Sequence, residues 1–250
     1  MYNFILRSQE LVRDKDGFCG WQANENKAMV SPGETAVIIV DMWDKHWCAG
    51  ATVRGAALAP IIDSAVRRAR EKGSLIVHAP SDTMDFYKNS EARKRLFSVP
   101  PLDDIPAKEI KTYPLPVDSS DGGSDTVQDC PVNTIVWTRQ NEKIHIDDSK
   151  DIICGESEKE GDLLYSYLKS KNINNIIYMG VHTNMCILGR PFAIKAMLRR
   201  GMNVMLCRDL TDAMYNPERP PYVSHGEGTR LVIEYIEKFY CPTILSGEII

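Results

Sequence analysis

The run Thr35-Ala-Val-Ile-Ile-Val40 restricts the folds open to this chain more than any other stretch. Six residues without polar alternation read as a strand buried on both faces, the pattern of a parallel sheet covered by helices. The pattern recurs in Ser74-Leu-Ile-Val-His-Ala79, Asn133-Thr-Ile-Val-Trp-Thr138, Asn175-Ile-Ile-Tyr-Met179, Asn203-Val-Met-Leu-Cys207 and Pro242-Thr-Ile-Leu245. Helical spacing separates most of these runs. Residues 56–71 place Leu58, Ile61, Ile62, Ala65, Val66 and Ala69 on one side, with Arg67, Arg68 and Arg70 opposite and Gly73 as a stop. Residues 160–170, 186–200 and 227–239 also read as helices. Such alternation implies right-handed crossovers. The expected fold is α/β: a three-layer arrangement of a six-stranded, mostly parallel sheet with helices on both faces. Ligands of such sheets bind beyond the carboxyl ends of the strands.

Two segments stand outside the alternation. Residues 1–34 are polar and read as an irregular N-terminal arm. Residues 80–132 are rich in Pro, Asp, Ser and Lys and read as an insertion, a lid or an interface element. With no repeat and no long linker, residues 1–250 are expected to form a single domain.

Composition narrows the function classes. The 250 residues carry 30 Lys+Arg against 34 Asp+Glu, a net charge of −4, so the basic footprint of a nucleic-acid binder is missing. No apolar run approaches the roughly 18 residues of a membrane span. The first residues lack the basic start and apolar core of a secretory signal. Seven cysteines, an odd number without a C-x-x-C pair, suit free thiols in a reducing compartment, and a cytoplasmic location is expected. No G-x-G-x-x-G follows the first parallel strand, which argues against a dinucleotide fold.

Candidate chemistry collects at strand ends. Asp41 closes the first parallel strand and is placed to serve as a general base, or as a helix cap or ion-pair partner. In Gly180-Val-His-Thr-Asn-Met-Cys186 a strand turns through short polar residues into an apolar helix opened by a cysteine. A helix N-terminus lowers a thiol's pKa and can hold an oxyanion, whereas a lone buried cysteine is an inert core residue.

Ile-Ile-Val-Asp41 and Gly180-Val-His-Thr-Asn-Met-Cys186 together resemble the isochorismatase-like cysteine hydrolases, the superfamily of nicotinamidases and carbamoylsarcosine amidohydrolases, over roughly residues 33–246. The resemblance implies a Rossmann-like, isochorismatase-like hydrolase fold and an Asp–Lys–Cys triad with Asp41 as base and Cys186 as nucleophile. It also implies a cis peptide at Val181–His182, whose backbone helps form the oxyanion hole, and a homo-oligomer. The triad lysine usually follows the third strand. Here Arg139 stands at that strand's end and Lys143 four positions later, and either is a candidate for the cation. Arg cannot lose a proton as Lys does.

Nicotinamidases resemble one another in an Asp-x-His metal motif that is missing after the second strand, where His78-Ala-Pro-Ser-Asp82 stands, so neither a metal nor another cofactor is expected. A true isochorismatase cleaves a vinyl ether without needing the thiol, so Cys186 favours amide cleavage. Arg190 is a candidate clamp for a substrate carboxylate, or a partner for an acid. Trp43 and Trp47 are candidate pocket walls or core residues. Tyr215, in the polar stretch 208–216, lies where groups either line the pocket or cap the next helix. The expected function is hydrolysis of a C–N amide-type bond of a small molecule through a thioester. The alternatives are a non-catalytic relative that binds or scaffolds, and an ether hydrolase of the isochorismatase type.

Overall fold

The computed structural model describes residues 1–126 and 135–250. Residues 1–34 are more ordered than an arm: β1 (Tyr2–Arg13) and β2 (Cys19–Val30) form a twelve-residue antiparallel hairpin. Its turn is built by Asp14, whose Oδ1 accepts from the backbone N–H groups of Asp16 and Phe18, both at 2.9 Å. Only Tyr2 and Phe4 of β1 are buried, and no residue of β2 is. A ribbon wet on both faces shows no apolar period, which is why the sequence reads as irregular.

The remaining elements follow the expected alternation. They are β3 (Thr35–Val40), α1 (Ala49–Glu71), β4 (Leu75–Ala79), α2 (Met84–Tyr87), α3 (Glu91–Leu96), β5 (Ile152–Ile153), α4 (Glu158–Ser170), β6 (Asn175–Val181), α5 (Cys186–Gly189), α6 (Ile194–Arg199), β7 (Asn203–Asp212), α7 (His225–Phe239) and β8 (Thr243–Ile244). Among the described residues they build one sheet in the order β2-β1-β8-β7-β6-β3-β4-β5. The six strands from β8 to β5 pair in parallel, and the hairpin extends that sheet antiparallel through Arg7 opposite Thr243.

One expected strand is displaced. Asn133 and Thr134 lie outside the described residues, and Ile135–Thr138 form no strand. Their neighbours bond the loop after β3 instead: Trp137 N donates to Lys45 O at 3.1 Å, and Asp44 N to Arg139 O at 2.9 Å. The place beside β4 is taken by Ile152–Ile153, both buried. Residues 186–200 are likewise two short helices, since Arg190 precedes Pro191 and adopts extended dihedrals (φ −64°, ψ 156°).

β3 explains the two-sided burial. Ala36, Ile38 and Val40 join the core under α4, α6 and α7, while Val37 and Ile39 join that under α1. Helix α1 turns Ala59, Ile62, Ala65, Val66 and Ala69 to the sheet. Fully buried side chains such as Ile62 and Val66 each stabilise by about 1.5–3 kcal/mol. Among the described residues no helix is long and apolar enough to cross a membrane.

Candidate active site

Asp41 leaves β3 at the carboxyl edge of the sheet. Its backbone N–H still donates to Ala79 O on β4 at 3.0 Å, and its φ of +47° then turns the chain away. Asp tolerates that left-handed region better than a β-branched residue. The side chain is fully buried. Its Oδ1 accepts from Ser81 N at 2.8 Å, and Ser81 O in turn accepts from Trp43 Nε1 at 2.7 Å. Trp43 thus fixes the strand end that holds the carboxylate.

Cys186 arrives from β6. At Gly180 (φ +111°) a Cβ would lie 2.1 Å from Val40 O, so only glycine lets β6 run this close to the end of β3. The Val181–His182 peptide is cis. The turn that follows is fastened to β7 and its extension. Thr183 N donates to Asp212 O at 2.9 Å, Asn184 Nδ2 donates to Met214 O at 2.8 Å, and Met214 N returns a bond to Asn184 Oδ1 at 2.9 Å. Cys186 is the first residue of α5, half-buried. Its thiol lies within hydrogen-bonding reach of the Asp41 carboxylate, and the His182 backbone also bonds the sulfur.

The cation that pairs with Asp41 is Arg190. Its Nε donates to Asp41 Oδ2 at 3.3 Å, and its Nη2 is 3.6 Å from Asp82 Oδ2. The helix break before Pro191 brings this side chain, four residues after Cys186, onto the same carboxylate. Of its two sequence-stated roles the structure shows the ion pair. Arg139 and Lys143 do not reach the site. Arg139 pairs with Glu142 at 2.5 Å and stacks over Phe86, and Lys143 is exposed. Their segment hydrogen-bonds the loop after β3 rather than extending a sheet strand towards Cys186. At the exit of β5 stand Cys154, Gly155 and Glu156, without a lysine.

Electrostatics here differ from a helix-dipole expectation. Burial first, then the Asp41 charge, pushes the Cys186 thiol up to about 12, against the lowering by Arg190 and the His182 backbone. A four-residue α5 supplies too little dipole to offset burial. Burial also raises Asp41, with Arg190 and the thiol acting the other way. His182 is pushed down to about 3 by burial and by neighbouring His46, so it is neutral.

Trp43, His46 and His182 border a cavity of about 10 Å³ beside Asp41, with Thr52, Val181 and the first turns of α1 also in its wall. Trp47 is half-buried and packs with Cys48, Met185 and Met214. Tyr215 belongs to the core: it is fully buried, its hydroxyl donates to Arg219 O at 2.8 Å and accepts from Val223 N at 3.2 Å. Among the described residues no group of three His, Cys, Asp or Glu side chains has metal-site geometry. Sequence reasoning missed Ser81, Asn184 and Arg54. The polar turn Thr183-Asn184 beside the nucleophile was the one available signal.

No family model and no curated protein matches the chain. Solved structures do. A cysteine hydrolase from Pseudomonas syringae pv. phaseolicola superposes with TM-score 0.54 at 20% identity, covering 88% of this chain and 92% of that one. An isochorismatase from Pseudomonas putida gives 0.53 at 10% identity, covering 88% and 92%. An isochorismatase family protein from Burkholderia thailandensis gives 0.50 at 12% identity, covering 86% and 93%. The chain has the isochorismatase-like hydrolase fold.

Proposed function

We propose that this chain, built on the isochorismatase-like hydrolase fold, is a cysteine hydrolase that cleaves a C–N amide-type bond of a small molecule. The reading rests on one observation: the Cys186 thiol interacts with the buried Asp41 carboxylate and with the His182 backbone. In the proposed reaction the sulfur attacks the substrate carbonyl while Asp41 takes the thiol proton. Both groups are raised by burial, so proton transfer accompanies attack rather than preceding it. The backbone N–H groups of His182 and Cys186 stabilise the oxyanion. As the C–N bond breaks, Asp41 returns its proton to the departing nitrogen, leaving a thioester. Water then attacks the thioester carbonyl, Asp41 accepts its proton, and the acid leaves as the thiol re-forms.

Arg190 takes no proton in this scheme. It steadies the negative charge on Asp41 and on the developing thiolate. The cavity beside Asp41, about 10 Å³, is at the lower limit for a single water molecule, which suits a hydrolytic water next to the base. The test is ammonia or amine release from a panel of small primary amides and N-carbamoyl compounds, with mass spectrometry for an acyl adduct on Cys186. Turnover that persists unchanged in Cys186→Ala would overturn the thioester mechanism, and a panel with neither turnover nor adduct would favour the non-catalytic alternative.

A further inference from the structure

Arg54 on α1 holds two carboxylates of different origin. Its Nε donates to Asp212 Oδ2 at 2.9 Å, and its Nη1 and Nη2 donate to the two oxygens of Asp125 at 2.6 and 3.2 Å. Asp212 ends β7 and pairs in register with Val181. Asp125 belongs to the polar insertion. His225, the first residue of α7, completes the group: Nε2 lies 2.9 Å from Asp212 Oδ1, Nδ1 3.0 Å from Tyr215 O and 3.6 Å from Asp125 Oδ2. Both ring nitrogens face acceptors, which requires a proton on each and therefore an imidazolium. Asp212 orients two cations and takes only Nε of Arg54, so the Nη1/Nη2 fork is presented beyond it. A carboxylate fits that fork bidentately, and Asp125 supplies one.

This cradle adjoins the reacting centre. Ala51, Thr52 and Gly55, from the same turns of α1 as Arg54, line the cavity that Asp41 and His182 also line. The carbonyl of Asp212 holds Thr183 in the turn that delivers Cys186. Asp125 fits tightly, since a Cβ on Gly50 would come within 2.4 Å of its Oδ1. Just before Asp125 in the chain stand two glycines with positive φ, Gly122 (+87°) and Gly123 (+75°).

We infer that the Arg54–His225 cradle is a carboxylate subsite of the hydrolase and that Asp125 occupies it in the resting protein as an internal substitute for the substrate's own carboxylate. The inference rests on the hydrolase reading for its meaning, and it names the substrate class: a small amide that carries a carboxylate a few bonds from the scissile carbonyl. Exchange of Asp125 for that group replaces one anion by another, so the two cations are never left uncompensated in a part-buried place. A neutral amide has nothing to offer the fork and is disfavoured by the contact it would have to break, a form of specificity by exclusion.

The test is isothermal titration of the full chain with succinate, and with butane-1,4-diol as the neutral control, in wild type, Asp125→Ala and Asp125→Ala/Arg54→Gln. Succinate is expected to bind Asp125→Ala at least tenfold more tightly than wild type, with no change for the diol and with the gain lost in the double variant. Asp125→Ala/Arg54→Lys, which keeps the charge without the fork, serves if the glutamine variant fails to fold. Equal succinate binding by wild type and Asp125→Ala, or a gain that survives loss of the fork, overturns the inference. The readout involves no turnover. A succinate gain without amide hydrolysis leaves the subsite standing and removes the hydrolase reading, and hydrolysis without the gain does the reverse.

Discussion

Arg190 Nε donates to one oxygen of Asp41 at 3.3 Å while Ser81 N holds the other at 2.8 Å. The carboxylate is therefore fixed from one side by a strand end and charge-balanced from the other by a side chain that is partly solvent-exposed. Removing each has a different consequence, because only Arg190 carries charge.

Arg190→Gln deletes the ionic lowering of Asp41 and leaves the burial that raises it. The Asp41 pKa rises further, so the acidic limb of the kcat/KM profile is expected to move to higher pH, with lower activity at neutral pH. An unmoved limb would mean that Arg190 does not act on the base.

Asp41→Asn separates reactivity of the thiol from catalysis. The Asp41 charge raises the Cys186 thiol, so its removal lowers that pKa and enlarges the thiolate fraction at a given pH. Iodoacetamide is expected to alkylate Cys186 faster in Asp41→Asn than in wild type, while amide turnover falls. In the wild-type protein the exposed Cys19 is modified before Cys186. Peptide mapping over pH 7–10 reads both rates.

Cys186→Ala is expected to lower turnover by roughly 10⁴-fold or more, the scale for loss of a nucleophile in acyl transfer. Urea denaturation should give a stability within about 1–2 kcal/mol of wild type, because a half-buried side chain loses one small sulfur. Arg139→Ala and Lys143→Ala should each leave turnover within about twofold, as expected for surface groups remote from the reacting atoms.

His225→Gln tests the cradle through stability. Burial works against the charged ring, but the hydrogen bond and charge of Asp212 outweigh it, and the folded pKa is raised. A raised folded value means that the stabilisation is complete below the unfolded pKa of about 6.5 and is lost as pH rises through the higher folded value. The variant should be less stable than wild type by about 1–3 kcal/mol at pH 6, with the gap narrowing towards pH 9. A gap that is constant or that widens with pH contradicts a protonated His225.

The parts of the fold legible in the sequence are those whose burial is two-sided. β3 and β6 read as unbroken apolar runs because helices cover both faces; Asp41 was found as the first chemistry-bearing group past β3, and Cys186 as the thiol that opens the apolar helix after the polar turn past β6. The β1–β2 hairpin leaves no comparable trace, since side chains that meet water on both faces obey no period. Ile135-Val136-Trp137 and Ile152-Ile153-Cys154 are equally apolar, and only the geometry of the sheet edge chooses between them. That choice removed Arg139 and Lys143 from the site. Which of the two roles open to Arg190 applies was not legible for a related reason: apolar periodicity across 186–200 suggests one helix, although Pro191 marks the place where it breaks and lets Arg190 reach Asp41.

The helix break has an evolutionary reading. In the proposed scheme nucleophile and cation come from a single stretch of five residues, Cys186 to Arg190, which meets the Asp41 strand end without a contribution from the 135–150 side chains. The segment from 135 to 150 is thereby relieved of a chemical duty. Its remaining duty is structural: Trp137 N bonds Lys45 O and Asn141 N bonds Met42 O, so it buttresses the loop after β3 through its backbone, and exposed side chains such as Lys143 can vary in charge.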